Sequence, residues 1–270
     1  MPSTAADLEP SCRLYLHSSE RMSEVGDDTA RLVIASPPYT NRPDGRELDK
    51  REYLQFLGRV FIEAQRVLVS GGVLVTINTD LRDHARYNDG QRCFEGRQWD
   101  KHTDIRRAVE STGLACIEAK VWVKSLKRNL YRYTFSHIQF FAKHGEIRRP
   151  RHPDVADGFG PDVWLLEGGT SRRRPDGSWF RDAIHPGIVE RCLLQFTSPN
   201  DLVVCPFTGS GTVPAMAKMM SRCCVGYEID GDLLPLIEAS IDGPVRDRVY
   251  QPFERRYLNR RAARHECDGR

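Results

Sequence analysis

LVVCPFTGSGTVPAMAKMMSRCCVGYE, residues 202–228, is the stretch whose reading decides the fold. Leu202 to Cys205 is a short apolar run rich in β-branched residues, the pattern of a buried strand. Phe207-Thr208-Gly209-Ser210-Gly211-Thr212 follows, with glycines where a chain turns tightly and lets a ligand approach closer than a Cβ permits. Val213 to Met220 predicts a helix, and Cys223 to Tyr227 a second buried strand. Strand, glycine loop, helix and strand make one parallel βαβ unit. Glu228 closes it, 17 residues beyond Gly211, where a carboxylate in nucleoside-binding α/β folds accepts hydrogen bonds from ribose hydroxyls. Taken alone, the segment also fits a tight turn with an ordinary surface acid.

The rest of the chain repeats the unit. Arg31 to Ala35 is a buried strand that stops at Ser36-Pro37-Pro38-Tyr39. Lys50 to Leu68 carries Tyr53, Leu57, Val60, Phe61, Ala64 and Leu68 at three- and four-residue spacing, which predicts an amphipathic helix broken by Gly71-Gly72. Val73 to Ile77 is the next strand. Thr103 to Thr112 reads as a helix closed by Gly113, and Leu114 to Val123 and Phe135 to Ala142 as further strands. From 144 to 181 periodicity fails, yet Phe159, Trp164, Trp179 and Phe180 lie there, more aromatic surface than a free linker needs. Order resumes at His185-Pro186, with proline at the first position of a helix from Gly187 to Phe196. The fold class is α/β, a central mostly parallel sheet with helices on both faces. The expected organisation is a first half over 12–143, a loop-rich insert over 144–181, a glycine-loop half over 182–250 and a basic tail over 251–270.

With 270 residues, 40% hydrophobic and 29% charged, the chain is long enough for one large domain; its net charge of +3 neither demands nor excludes nucleic acid. Distribution says more. Basic residues cluster at Lys124 to Arg132, Arg148 to Arg151, Arg172 to Arg174 and Arg255 to Arg264. No apolar run approaches the roughly 20 residues that span a bilayer, and the N-terminus lacks a signal-peptide layout, so a cytoplasmic protein is expected. Eight scattered cysteines without a CxxC pair indicate neither a disulfide framework nor a zinc site; no metal is expected.

Within the glycine loop, the third glycine of a dinucleotide fingerprint is absent and so is the GK[ST] of a P-loop. S-adenosylmethionine carries no phosphate and suits such a loop better. In Ser36-Pro37-Pro38-Tyr39 two prolines fix φ and remove two amide donors, leaving a rigid turn whose carbonyls act as acceptors. An exocyclic NH2 is a double donor, which the Ser36 hydroxyl and the Pro37 carbonyl can hold while aiming the nitrogen lone pair at an activated methyl. Tyr39 offers a π-face for an extruded base. A Pro-Pro turn after a strand with a packed tyrosine is the plain alternative.

Together these segments resemble the amino-methylating DNA methyltransferases, in particular the group whose catalytic tetrapeptide precedes the cofactor loop. The matching pieces are SPPY at 36–39, PFTGSGT at 206–212, GYEID at 226–230, RVLVSGGVLV at 66–75, PDVW at 161–164 and AIHPGIVERCL at 183–193. The resemblance implies a Rossmann-like S-adenosylmethionine-dependent fold with circularly permuted motif order. It makes Ser36, Pro37, Pro38 and Tyr39 catalytic. It assigns the cofactor to Cys205, Pro206, Phe207, Thr208, Gly209, Ser210, Gly211 and Thr212, to Glu228, Ile229 and Asp230, and to His185 and Pro186. Serine at the first catalytic position goes in this family mainly with cytosine N4, so cytosine is favoured over adenine N6. Double-stranded DNA is the implied partner, with Lys124, Lys127, Arg128, Arg132, Arg172, Arg173 and Arg174 as contacts and the 144–181 stretch as target recognition region. A restriction endonuclease of the same system, acting without binding this chain, and a monomer or homodimer complete the expectation. Three departures stand out. Cys205 replaces the usual aspartate, Ser136-His137-Ile138 lacks the glutamate that often follows histidine, and His17-Ser18-Ser19 replaces a Gly-Asp pair. They make a catalytically weakened DNA-binding homologue the alternative of a different class.

Overall fold

A computed structural model describes residues 11–39, 48–82, 86–88, 91–93, 98–126, 133–147, 162–166, 171–181 and 183–242. Eight strands form the main sheet: β1 (Cys12–Tyr15), β2 (Ala30–Ala35), β3 (Leu68–Asn78), β4 (Ala115–Val123), β5 (Phe135–Ala142), β6 (Val163–Leu165), β7 (Leu202–Cys205) and β8 (Cys223–Tyr227). Among the described residues five helices accompany them: α1 (Lys50–Val67), α2 (Lys101–Glu110), α3 (Pro186–Phe196), α4 (Thr212–Met219) and α5 (Leu234–Asp242). The sheet order is β1-β8-β7-β2-β3-β5-β4-β6. Neighbours are parallel except around β5, which runs antiparallel to both β3 and β4.

Two crossovers leave the centre in opposite directions. From β2 the chain passes through α1 to β3; from β7 it passes through α4 to β8, on the other side. Because parallel crossovers are right-handed, opposite directions put their helices on opposite faces. Tyr53, Leu57, Val60, Phe61 and Ala64 of α1 accordingly join Ile105 and Val109 of α2 in one buried layer. Ile188, Val189, Cys192 and Leu193 of α3 join Val213 and Ala217 of α4 in the other. The expected α/β architecture is the observed one.

Differences are local. Gly71-Gly72 lies inside β3, not in a loop: α1 ends at Val67 and the strand starts at once. Gly71 has φ +70 and its added Cβ would fall 1.9 Å from the Glu146 carbonyl oxygen, so only glycine allows the strand to bulge there. Edge strand β1, only four residues long, is too short to carry a periodic signal; it exists because β8 offers a parallel partner from Cys12↔Cys224 to Tyr15↔Tyr227. The 144–181 stretch supplies β6, whose Trp164 is fully buried, and a two-stranded ribbon pairing Arg172–Arg173 with Trp179–Phe180. No helix among the described residues is long and apolar enough to cross a membrane.

Candidate active site

The point where β7 and β2 lie side by side, with their crossovers departing in opposite directions, leaves a crevice at the carboxyl ends of the strands. Val203↔Leu32 and Val204↔Val33 pair in parallel, so Pro206–Thr212 and Ser36–Tyr39 emerge next to each other from the same edge. Helix α1 braces both. Its Tyr53 hydroxyl donates to the Pro38 carbonyl at 2.8 Å, and one turn on Phe56 packs against Phe207 at 6.1 Å between ring centroids.

The glycine loop holds itself together mainly through its own backbone. Thr208 N–H donates to the Tyr227 carbonyl and Gly211 N–H to the Thr208 carbonyl. Gly209 and Gly211 have φ of +53 and +77. A Cβ on Gly211 would come within 3.0 Å of the Ile237 Cα, and one on Gly226 within 2.6 Å of the Thr208 hydroxyl. Among the described residues Glu228 is the loop's one charged partner: it accepts from Gly209 N–H at 2.7 Å, while its other oxygen accepts from the amides of Ile229 and Asp230. Asp230 in turn caps the short turn that leads into α5.

Cys205, expected beside the cofactor, is wholly buried in the α3/α4 layer, where burial pushes its thiol up to about 12 and keeps it neutral. His185 caps α3 through an Nδ1 that accepts from Gly187 N–H at 3.0 Å. Burial, with the charges of Arg172 and Arg191, lowers its pKa to about 4, consistent with an acceptor nitrogen. Pro186 is the first residue of that helix. The ribbon over 172–180 reaches the loop, its Phe180 ring lying 3.6 Å from where a Gly209 Cβ would be.

In the Ser36–Tyr39 turn Ser36 is half-buried, Pro37 buried, and Pro38 and Tyr39 exposed. Behind it stand groups that the sequence, apart from His137, did not single out. Lys101 is 2% exposed and its Nζ donates to the Pro38 carbonyl at 3.1 Å. Asp80, beyond the end of β3, accepts from the His102 ring at 2.8 Å and its amide at 3.0 Å, and pairs with His137 Nε2 at 3.1 Å. Burial works against the Asp80 carboxylate, but the hydrogen bonds from His137 and His102 prevail and bring its pKa to about 2. The two imidazoles stack at 3.8 Å with planes 16° apart, and each directs one ring nitrogen at Asp80 Oδ2, His102 Nδ1 at 2.9 Å and His137 Nε2 at 3.1 Å, so a shared carboxylate holds the group together. Asn78, also buried at this strand end, has an amide with no hydrogen-bond partner among the described residues. Asp80 had a legible signal, an acid just past a strand end, the same one that marked Glu228.

Of the basic residues, Lys124 turns inward, its Nζ 3.2 Å from the Thr79 hydroxyl and over the Trp122 ring. Arg172, Arg173 and Arg174 lie on the ribbon, where Arg173 pairs across with Trp179, 60% exposed. Lys127, Arg128 and Arg132 fall outside the described residues.

Comparison with known proteins settles the family. The N6/N4 DNA methylase pattern matches residues 30–239, from β2 to α5. The chain belongs to this family of DNA methylases. Type II methyltransferase M.MjaI of Methanocaldococcus jannaschii is 26% identical over 311 aligned residues, covering 94% of this chain and 98% of that protein. A putative DNA modification methylase of Thermus thermophilus, TTHA0409, solved in complex with S-adenosyl-L-methionine, shares the fold with a TM-score of 0.68 at 23% identity, over 86% of this chain and 95% of that one. PvuII DNA methyltransferase, described as cytosine-N4-specific, has a TM-score of 0.63 at 18% identity and covers 85% of each chain.

The cofactor of this methylase is therefore S-adenosylmethionine. The residues present fit it. Gly209, left-handed at φ +53, keeps the loop backbone free of a Cβ, the Thr208 hydroxyl is buried without a hydrogen-bond partner among the described residues, and the Glu228 carboxylate sits at the neighbouring strand end.

Proposed function

We propose that this DNA methyltransferase transfers the methyl group to the exocyclic amino nitrogen of an extruded cytosine, N4, within a short duplex sequence. The observation that carries this reading is the adjacency of Ser36–Tyr39 and the glycine loop at one crevice, with the Pro38 carbonyl already taken by Tyr53 and Lys101. The acceptors left to the base are then the Ser36 hydroxyl and the Pro37 carbonyl, matching the two hydrogens of an amino group.

S-adenosylmethionine, when bound, supplies a methyl on a sulfonium that is already a good leaving group. The protein's task is thus to place and orient the nucleophile. Ser36 and Pro37 draw the amino nitrogen toward tetrahedral geometry and expose its lone pair. Tyr39, 43% exposed, stacks on the base. Pro206–Thr212 wraps the methionine part of the cofactor, Glu228 with Ile229 and Asp230 receives the ribose, and His185-Pro186 borders the same pocket. Cys205 contributes the strand end, not a charge.

Duplex DNA meets the 144–181 stretch, where Arg172, Arg173 and Arg174 contact phosphates or guanine edges and Trp179 adds an exposed ring. By sequence Lys127, Arg128 and Arg132 are further DNA contacts, whereas Lys124, expected with them, turns inward to Thr79 and Trp122. Serine at position 36 supports cytosine; the matching family covers both N4 and N6 methylation, and adenine N6 uses the same turn chemistry. Mass spectrometry of nucleosides from DNA of cells expressing the protein decides. N4-methylcytosine is the expected product, and 6-methyladenine without it overturns the base assignment.

A further inference from the structure

We propose that Lys101 is a positioning residue of the methylation site, holding the Pro38 carbonyl and the Tyr39 ring so that the turn presents only Ser36 and Pro37 to the target amino group. The inference rests on the reading of Ser36–Tyr39 as the catalytic turn. Lys101 is an anomaly by every ordinary criterion. Buried lysines are paired with carboxylates, yet its hydrogen bond goes to the neutral Pro38 carbonyl. Its remaining environment is aromatic: Nζ lies 4.8 Å from the Tyr53 ring centroid and 5.5 Å from that of Tyr39. It is also the first residue of α2, where the helix dipole disfavours a cation.

Such an arrangement is costly for the fold and useful to the turn. Two proline residues stiffen Ser36–Tyr39 but leave the Pro38 carbonyl free to rotate as a competing acceptor. Tyr53 and Lys101 pull it from two helices at once, back toward α1 and α2. The cation over Tyr39 fixes the ring on which the base is to stack. Three titratable groups act on Nζ: Tyr53 on α1, Tyr39 on the turn and Asp80 past β3. Burial lowers the Lys101 pKa to about 7, against the opposing pull of Asp80.

Lys101→Met in the full chain tests this, with methyl transfer from radiolabelled S-adenosylmethionine to unmodified host DNA as the assay. The expected result is a fall in kcat of about tenfold or more with the cofactor Kd within about twofold of wild type. The melting temperature is expected at or above wild type at pH 6. That excess should fade as pH rises from about 7 to 10.5, where the wild-type lysine loses its buried charge. A kcat within about threefold of wild type overturns the proposal. If the variant melts lower, Lys101→Gln decides: it keeps an N–H donor and is expected to recover part of the turnover. Loss of stability in both variants, in proportion to lost turnover, marks Lys101 as structural only. Ser36→Ala run alongside separates the two ideas. Wild-type turnover in Ser36→Ala overturns the reading of the turn itself; an inactive Ser36→Ala beside a fully active Lys101→Met overturns only the role of Lys101.

Discussion

The glycine loop and the Ser36–Tyr39 turn face each other across one crevice but are held in opposite ways. The loop is largely self-sufficient: its amides bond to carbonyls of the loop and of β8, and its glycines adopt left-handed φ. Its carboxylate partner, Glu228, lies at the adjoining strand end. The turn is short, and what steadies it comes from far along the chain, from Tyr53, 15 residues away, and Lys101, 63 residues away. A cofactor whose chemistry does not change from target to target can be met by a fixed backbone cradle. A target base has to be extruded, admitted and aligned, and that geometry is set by side chains on surrounding helices.

Substitutions can break this contrast. The largest effect is expected for Ser36→Ala, which removes an acceptor for the amino group and should cost turnover about 100-fold. Cofactor affinity, measured by calorimetry, should stay unchanged because the loop does not depend on the turn. Equal losses of both would show that the two regions are one unit.

Gly211→Ala is the reciprocal test. At φ +77, with the new Cβ within 3.0 Å of the Ile237 Cα and 3.1 Å of its carbonyl oxygen, backbone would have to yield. A destabilisation of about 1–3 kcal/mol is expected, read as a lower melting temperature together with weaker cofactor binding.

The smallest effect sharpens the account of the turn's surroundings. Asp80→Asn should lower the melting temperature, because the wild-type carboxylate, with its pKa brought down to about 2, is stabilised by its histidine partners. The sign follows from linkage: a depressed carboxylate pKa adds stability above its ordinary value of 3.8, and that contribution is lost as pH falls toward 2. The gap between wild type and Asp80→Asn should therefore be full at neutral pH and close below about pH 4. A gap that persists at pH 2 would mean that Asp80 acts through packing and not through charge.

The sequence by itself determined the parallel βαβ halves, both loops, their order along the chain, and Glu228. These are features of local pattern: apolar runs of strand length, three- and four-residue spacing, and glycine or proline where φ must be left-handed or fixed. It also allowed Cys205 to be placed at the loop without saying where its thiol points. Only the tertiary structure decided that this thiol faces the α3/α4 core, that β1 forms because β8 has a free edge, and that Lys101, Asp80, His102 and His137 gather behind the turn. Those residues are scattered from 80 to 137 and have no spacing in common. Their meeting is fixed by the order of strands in the sheet and the packing of α2 upon it, and long-range packing of that kind leaves no local periodicity to read.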